Sequence, residues 1–346
     1  MKYNAFFSTL ASALLLLGLG SVLTSCEYKD LCYDHHHLVS VKVLFDWTNV
    51  PEAQPEGMTV LFYNLDAPGS QPNRFDLPGR DGGEVKLEPG NYRAVAYNYD
   101  TETILLANTE AWNTISAYTR GSSFEEVTLL SRAPMPRAAG TEDEPVILEP
   151  DMLYACAGNP FTLKITDDYT TYDDQKEGAG GIASKTVYTI TLQPNQRVRK
   201  VNIFVTNVQN LAYSTQFGGA LSTLCPSVVL ADGRLGEGVA SQAYMMTQTG
   251  NSQLEAHFGI FGHCPHLSEG EACTHIATLY AVLGDGTKWY YTVDVTDQLH
   301  DPVQNPDEYN LNIYIDGLPV PKPIVNGSGF VPTLDGWEEH VYEVGN

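Results

Sequence analysis

An apolar segment that closes on a cysteine is the feature that most constrains this chain. The run starts near Ala5, includes the leucines at positions 14–17 and ends on Leu23-Thr24-Ser25-Cys26, with Lys2 in front of it. A basic residue, an apolar core and small residues before a cleavage point are typical of a secretory signal. The cysteine that follows the small residues makes this ending a lipobox. We therefore predict a lipoprotein signal peptide over residues 1–25 and a lipid on Cys26.

A lipid on Cys26 would hold the rest of the chain at a membrane. Each buried methylene contributes about 0.8 kcal/mol, and several acyl chains together give a stable anchor. The alternative is an uncleaved membrane helix, because the run from Ala5 to Leu23 is nearly long enough to cross a bilayer. Polar and small residues interrupt that run. We expect cleavage and an exported body.

The charge balance argues against nucleic acid as a partner. Asp and Glu number 42 against 19 Lys and Arg, which gives a formal net charge of -23 over 346 residues. Such a surface repels phosphate backbones and anionic lipid headgroups. We expect no nucleic-acid binding and no membrane attachment through a basic surface.

Alternation of apolar and polar residues predicts an all-β body. The first strand carries Val39, Val41, Val43, Phe45 and Trp47 on one face. A hairpin is predicted over 84–98 about Pro89-Gly90, with Tyr92 and Tyr97 on opposite faces. Further strands are predicted within 58–63, 103–107, 125–130, 146–148, 188–192, 201–205 and 311–315, and a meander over 257–261, 275–283 and 289–295.

Chain length and an acidic, glycine-containing stretch indicate the domain organisation. A mature chain of about 320 residues exceeds what one core usually serves, so we expect two domains. An acidic loop between them is the preferred interpretation of the stretch, since it lacks the regularly spaced oxygen ligands of a calcium loop. The predicted segments are the signal peptide 1–25, a tether 26–37, an N-terminal β-sandwich 38–165, an acidic linker 166–183 and a C-terminal β-sandwich 184–346.

Six cysteines in an exported chain permit disulfide bonds. If Cys26 carries lipid, an odd number of thiols remains: Cys32, Cys156, Cys225, Cys264 and Cys273. We expect Cys264 and Cys273 to pair, because they would close one loop between two strands. The pairing of the other three stays open.

The densest group of metal-binding residue types surrounds that same pair. His263, Cys264, His266, Cys273 and His275 are all of types that bind zinc. Their spacing matches no common zinc module, and a disulfide would consume two of the ligands. We therefore predict a disulfide loop and no metal.

Motifs for catalysis are absent from the sequence. It contains no Gly-x-Ser-x-Gly elbow, phosphate-binding loop or His-Glu-x-x-His motif. The carboxylates show no spacing that singles out an acid/base pair. We expect no enzymatic activity and no cofactor.

Several short motifs together resemble a family of Bacteroides fimbrillin-like lipoproteins. They are the lipobox, Cys26-Glu27-Tyr28-Lys29-Asp30-Leu31-Cys32-Tyr33-Asp34-His35, Leu87-Glu88-Pro89-Gly90-Asn91-Tyr92, Val293-Asp294-Val295-Thr296-Asp297-Gln298 and Ile315-Asp316-Gly317-Leu318-Pro319-Val320-Pro321. The similarity covers essentially the whole mature chain. It implies two tandem transthyretin-like β-sandwich domains, a lipid-anchored location on the outer membrane at the cell surface, and pilus subunits as partners by strand addition.

The resemblance also implies a test of subunit type. Stalk subunits of the fimbrillin kind lose an N-terminal strand to an arginine-specific protease, and the open groove accepts a strand from the next subunit. Here no arginine lies between Cys26 and Arg74, while Arg132 and Arg137 come too late to release only one strand. We predict a fimbrial anchor or accessory subunit that keeps its first strand.

Other interpretations stay open. A surface lipoprotein that binds glycans or a host protein would use exposed aromatic side chains. A polymerising pilin would instead appear after proteolytic maturation. A surface β-sandwich lipoprotein with no defined role stands behind both, because fold does not fix function.

Overall fold

The computed structural model describes residues 38–132, 134–164, 188–264, 273–323 and 337–341. The predicted signal peptide, Cys26, the tether and the acidic linker lie outside these residues. Most of the regular secondary structure in the described chain is strand: β1 (Val39–Phe45), β2 (Gly57–Asn64), β3 (Asn73–Pro78), β4 (Gly82–Leu87), β5 (Gly90–Asn98), β6 (Leu105–Ala107), β7 (Ser116–Tyr118), β8 (Gly121–Ser122), β9 (Val146–Ile147), β10 (Tyr154–Ala157), β11 (Phe161–Leu163), β12 (Tyr188–Leu192), β13 (Asn195–Gln196), β14 (Arg199–Val208), β15 (Ser214–Leu224), β16 (Ser227–Val229), β17 (Ala240–Met245), β18 (Thr247–Gly250), β19 (Gln253–Ile260), β20 (Ile276–Leu283), β21 (Lys288–Asp294), β22 (Asn310–Leu318) and β23 (Trp337–Val341).

Helices are short in the part of the chain that the structure describes. They are α1 (Phe124–Thr128), α2 (Thr296–His300) and a 3-10 turn at Leu211–Tyr213. Within these same residues, no helix has the length and apolar character needed to cross a bilayer. The all-β fold class is therefore confirmed.

Two sheets enclose the first core. One has the order β12-β1-β4, and the other has β13-β10-β5-β2-β3 with β11 also on β5. The alternating face predicted for β1 is confirmed, because Val39, Val41 and Val43 are buried in that core. Apolar residues on one face of each strand meet between the two sheets, as in a β-sandwich.

The predicted hairpin over 84–98 is wrong, although both of its strands are present. β4 pairs with β1, whereas β5 pairs with β2 and β10 in the opposite sheet. The Pro89-Gly90 link therefore crosses from one sheet to the other. Alternation identifies a strand and its buried face, but it does not identify the neighbour to which the strand is hydrogen-bonded. Tyr92 and Tyr97 lie on opposite faces of β5 as predicted, in two different cores.

A second pair of sheets encloses the larger core. One sheet has the order β18-β19-β14-β22, and the other has β23-β21-β20-β15-β17-β9-β8. Fully buried side chains such as Val201, Ile203 and Leu279 fill the space between them. The predicted meander forms only in part: β20 and β21 pair, but β19 belongs to the facing sheet.

Strands are exchanged between the early and late parts of the chain. β8 and β9 precede the predicted linker yet complete the sheet of β17, while β12 and β13 follow the linker and pair with β1 and β10. The predicted domain boundaries remain a prediction. A small fifth sheet among the described residues, of order β16-β7-β6, packs near the outer face of β5, where Tyr97 and Phe261 share a core.

The strand predicted over 125–130 is instead the helix α1. The Ser123 side chain accepts a hydrogen bond from the backbone N–H of Glu126, which caps the first turn. Leu129 closes the helix in the left-handed region with φ of 56°. A Ser three residues before a Glu is a capping-box signal for a helix start. Here the helix forms even though the apolar residues Val127 and Leu130 suggested a strand.

Truncating a buried side chain of β1 should lower the stability of the protein, and one pair of variants measures this effect. Val41 is fully buried in β1, whereas Val303 is 86% exposed. We expect Val41→Ala to lower the free energy of unfolding by about 2 kcal/mol, because apolar contacts are lost and a cavity remains. The same change at Val303 should leave it within about 0.5 kcal/mol of the parent. Urea unfolding of both variants measures the difference, and equal effects would contradict this packing.

Candidate functional site

The first strand is held on both of its edges. β1 pairs in parallel with β12 over Val41 to Phe45 and antiparallel with β4 over Val39 to Leu44. Leu38, directly before it, is 45% exposed. The strand is thus central in its sheet, and the described chain begins at an exposed residue directly before it. An attachment upstream of Leu38 would transmit its pull to a strand that is hydrogen-bonded on two sides.

β22 is an edge strand of the sheet β18-β19-β14-β22, and side-chain amides cover its outer edge. Gln298 accepts from the backbone N–H of Tyr314 (2.8 Å) and donates to its carbonyl oxygen (2.9 Å). Asn305 accepts from the N–H of Asn312 (2.6 Å), and Gln304 donates to the carbonyl of Asn312 (2.7 Å). These bonds occupy the polar groups that an added strand would need. The edge of β22 is therefore closed to strand addition at this point.

A polar cleft of about 630 Å³ lies where the segment before β10 meets β14 and β19. Glu149 accepts from the backbone N–H of Gly259 (2.8 Å), and burial raises the pKa of its carboxyl group. His257 Nδ1 lies 2.8 Å from Asn202 Oδ1. Since an amide oxygen only accepts, Nδ1 of His257 carries the proton. The cleft offers an ammonium group, amides, an imidazole and carboxylates together, a mixture suited to a polar ligand.

Aromatic rings continue from this cleft along the outer face of the sheet. Phe204 and Tyr314 stack with ring centroids 5.3 Å apart, and Phe204 also meets His257 edge to face at 5.9 Å. Tyr314 is 52% exposed. Sequence reasoning missed this group, since its members come from β14, β19 and β22 and share no local motif. The alternation of β22 did contain one signal, a tyrosine on the face opposite Ile313 and Ile315.

The structure joins Cys264 and Cys273 by a disulfide, with Cα atoms 5.6 Å apart. His263 and His275 of the predicted cluster lie beside them, while His266 falls outside the described residues. His300, at the end of α2, joins them from a distant part of the sequence. Burial lowers the pKa of His263 to about 3 and that of His275 to about 4, so both imidazoles are neutral near pH 7.

The remaining cysteines and arginines named from the sequence are dispersed. Cys156 and Cys225 are buried free thiols, and burial raises the pKa of each to about 12. Such buried thiols are unreactive and serve to pack the core. Arg132 is exposed, whereas Arg137 donates to the carbonyl oxygen of Thr141 (3.2 Å) and lies over the ring of Phe124.

Comparison with known proteins identifies a family model that matches this chain and a protein that is similar to it. A family model described as a domain of unknown function, DUF5119, matches residues 25–245. A protein of Bacteroides ovatus with the provisional name fimbrium anchoring subunit Fim4B is 25% identical in an alignment of 353 positions that covers 94% of this chain and 94% of that one.

Comparison with solved structures gives one protein of similar fold and others with weaker likeness. A provisionally named adhesin of Bacteroides ovatus superposes with a TM-score of 0.57 at 23% identity, covering 88% of this chain and 99% of that one. The fimbrial anchor protein Mfa2 of Porphyromonas gingivalis has a TM-score of 0.47 at 14% identity, covering 81% of this chain and 90% of that one. The first of these structures supports the fold.

Proposed function

The chain belongs to the DUF5119 family, and we propose that it is a non-catalytic fimbrial anchor or accessory subunit at the cell surface. A lipid on Cys26 would hold it in the outer membrane, and pilus subunits would be its partners. The relative named as a fimbrium anchoring subunit aligns along 94% of both chains, which supports this assignment.

The observation that carries the proposal is the position of β1. A stalk subunit must lose its first strand, but β1 is paired on both edges and its valines are buried in the core. No arginine precedes Arg74 in the mature chain. A chain that keeps both β1 and the lipid has no vacant groove at that position, which suits the base of a polymer better than its shaft.

Late cleavage would not produce a stalk subunit either. A cut after the exposed Arg132 would separate β1 through β8 from the rest of the chain. That fragment includes the centre of the first sandwich and one strand of the largest sheet. The polymerising-pilin alternative therefore requires loss of far more than one strand.

The partner would bind at a sheet edge that is still open. Side-chain amides occupy the edge of β22, so strand addition would use another edge strand, and β4, β12, β3 and β18 are candidates among the described strands. Backbone hydrogen bonds would supply affinity, and pockets for alternate side chains would supply specificity.

The anchoring half of the proposal is tested by Cys26→Ser. Without its sulfur the chain has no lipid, so we expect this variant to leave the membrane fraction and to stop retaining pilus subunits in outer-membrane preparations. Cys32→Ser, six residues beyond the lipobox, is the matched control and should stay in the membrane with its partners. Fractionation and co-purification from the host read out both. An unchanged distribution of Cys26→Ser would contradict the lipid anchor.

The cleft and aromatic face favour a second candidate function, the binding of a glycan. Exposed rings stack on sugar faces, and the amides of Asn202 and Asn312 offer hydrogen bonds beside the Phe204–Tyr314 pair. We expect Tyr314→Ala to weaken any saturable glycan binding roughly tenfold, whereas Tyr213→Ala, an exposed tyrosine outside this face, leaves it unchanged. Titration of purified protein against surface polysaccharides measures this, and no saturable binding would remove the candidate.

A further inference from the structure

Three histidines converge on one sulfur atom at an end of the larger sandwich. His275 Nε2 lies 3.2 Å from Cys264 Sγ, His300 Nε2 lies 3.0 Å from it, and His263 Nδ1 lies 3.5 Å from it. The three imidazole rings form a nearly equilateral triangle, with centroids 5.1 to 5.3 Å apart. One ligand atom from each of the four residues falls within 4.8 Å of the others.

The sulfur to nitrogen distances are close to the edges of a tetrahedral coordination shell. Zinc bonds to nitrogen and sulfur are about 2.0–2.3 Å long, which places neighbouring tetrahedral ligand atoms about 3.3–3.6 Å apart. The three sulfur to nitrogen distances lie at or just below that range. The four ligand atoms lie within 4.8 Å of one another, so rotation of the imidazole side chains toward the centre would bring them into reach of one metal ion.

The hydrogen bonds of His275 supply a separate argument. This imidazole is fully buried, and its Nδ1 lies 3.1 Å from the carbonyl oxygen of Ser222. A carbonyl only accepts, so Nδ1 carries the proton and Nε2 presents a lone pair to Cys264 and Cys273. Disulfide sulfurs have no hydrogen to donate, so neither Cys264 nor Cys273 satisfies this buried lone pair in the disulfide form. A ring N–H that donates to a backbone carbonyl is also the usual partner arrangement of a metal-ligating histidine.

The ligands sit on well-fixed elements. His275 precedes β20, and its N–H donates to Thr296 Oγ1 at the start of α2 (2.8 Å). His263 is bridged to Leu224 at the end of β15, and His300 ends α2. A metal would therefore fasten α2 to the ends of β15, β19 and β20.

We propose that His263, His275, His300 and Cys264 form a tetrahedral site for a thiophilic transition metal, with Zn²⁺ as the best match, in the dithiol form of the protein. A disulfide between Cys264 and Cys273 closes this site because it removes the thiolate. Three of the four ligands belong to the group noted in the sequence, whereas His300 was missed because it is 25 residues beyond His275. It is independent of the proposed anchoring role.

Opening the site is a thiol–disulfide exchange. A dithiol supplies two electrons and two protons and is itself oxidised to a disulfide, while Cys264 and Cys273 become two thiols. The metal then binds the sulfur of Cys264 as its proton passes to solvent. Thiolate is the form that binds zinc, so binding strengthens as the pH rises.

Cobalt(II) titration of the purified, phosphine-reduced protein tests the proposal, because tetrahedral thiolate coordination gives intense visible bands. We expect one Co²⁺ per chain, displaced by Zn²⁺, with a sulfur-to-cobalt charge-transfer band that the oxidised protein lacks. His300→Ala removes an exposed ligand and should weaken binding at least about tenfold. His257→Ala, an exposed histidine on the outer face of β19, should bind like the parent.

Thermal unfolding of the same reduced proteins is a second measurement of metal binding that does not use the cobalt absorption spectrum. Zn²⁺ should raise the Tm of the parent and of His257→Ala, and raise that of His300→Ala far less. A reduced parent without tetrahedral bands, or a His300→Ala variant that binds as tightly as the parent, would overturn the proposal.

Discussion

The apolar stripe of β1 is the constraint on which the rest of the architecture depends. Val39, Val41 and Val43 occupy the middle of the first core, and the strand accepts β12 on one edge and β4 on the other. Because β12 comes from beyond residue 187, this pairing ties the start of the described chain to its middle. If the proposed lipid on Cys26 tethers the chain, the load falls on a strand whose release would expose the first core. That mechanical arrangement links the fold to a role at the base of a surface polymer.

Strand exchange gives the molecule a second kind of connection. β8 and β9 are supplied by the early part of the chain to the sheet of β17, and β12 and β13 are supplied by the later part to the sheets of β1 and β10. The Glu144 carboxylate supports the same junction, since it accepts from Thr223 N–H (3.1 Å) and Ser241 Oγ (2.6 Å). Hydrogen bonds to a buried carboxylate are among the stronger ones in proteins. Such interlacing favours transmission of force through the body.

Local patterns predicted many of the strands but not their partners, and they missed β15 and β17. Period-two alternation identified β1 and β22 with their buried faces, since one solvated and one buried side leave a direct mark on sequence. The partners of β4 and β19 depend on which sheet closes over which core, and no local residue encodes that. At α1 the cap formed by Ser123 and Glu126 outweighed the apolar pattern. The candidate sites escaped prediction for a similar reason: Tyr314 reaches Phe204, and His300 reaches Cys264, only through the tertiary fold.

We propose that the mature protein keeps both the lipid on Cys26 and its first strand. The intact mass of the protein extracted from the outer membrane of its own host tests it most directly. The account predicts a mass equal to Cys26 through Asn346 plus acyl chains, and a single species. A shorter species without lipid that begins after an arginine would contradict it, and would identify a subunit that is matured by proteolysis.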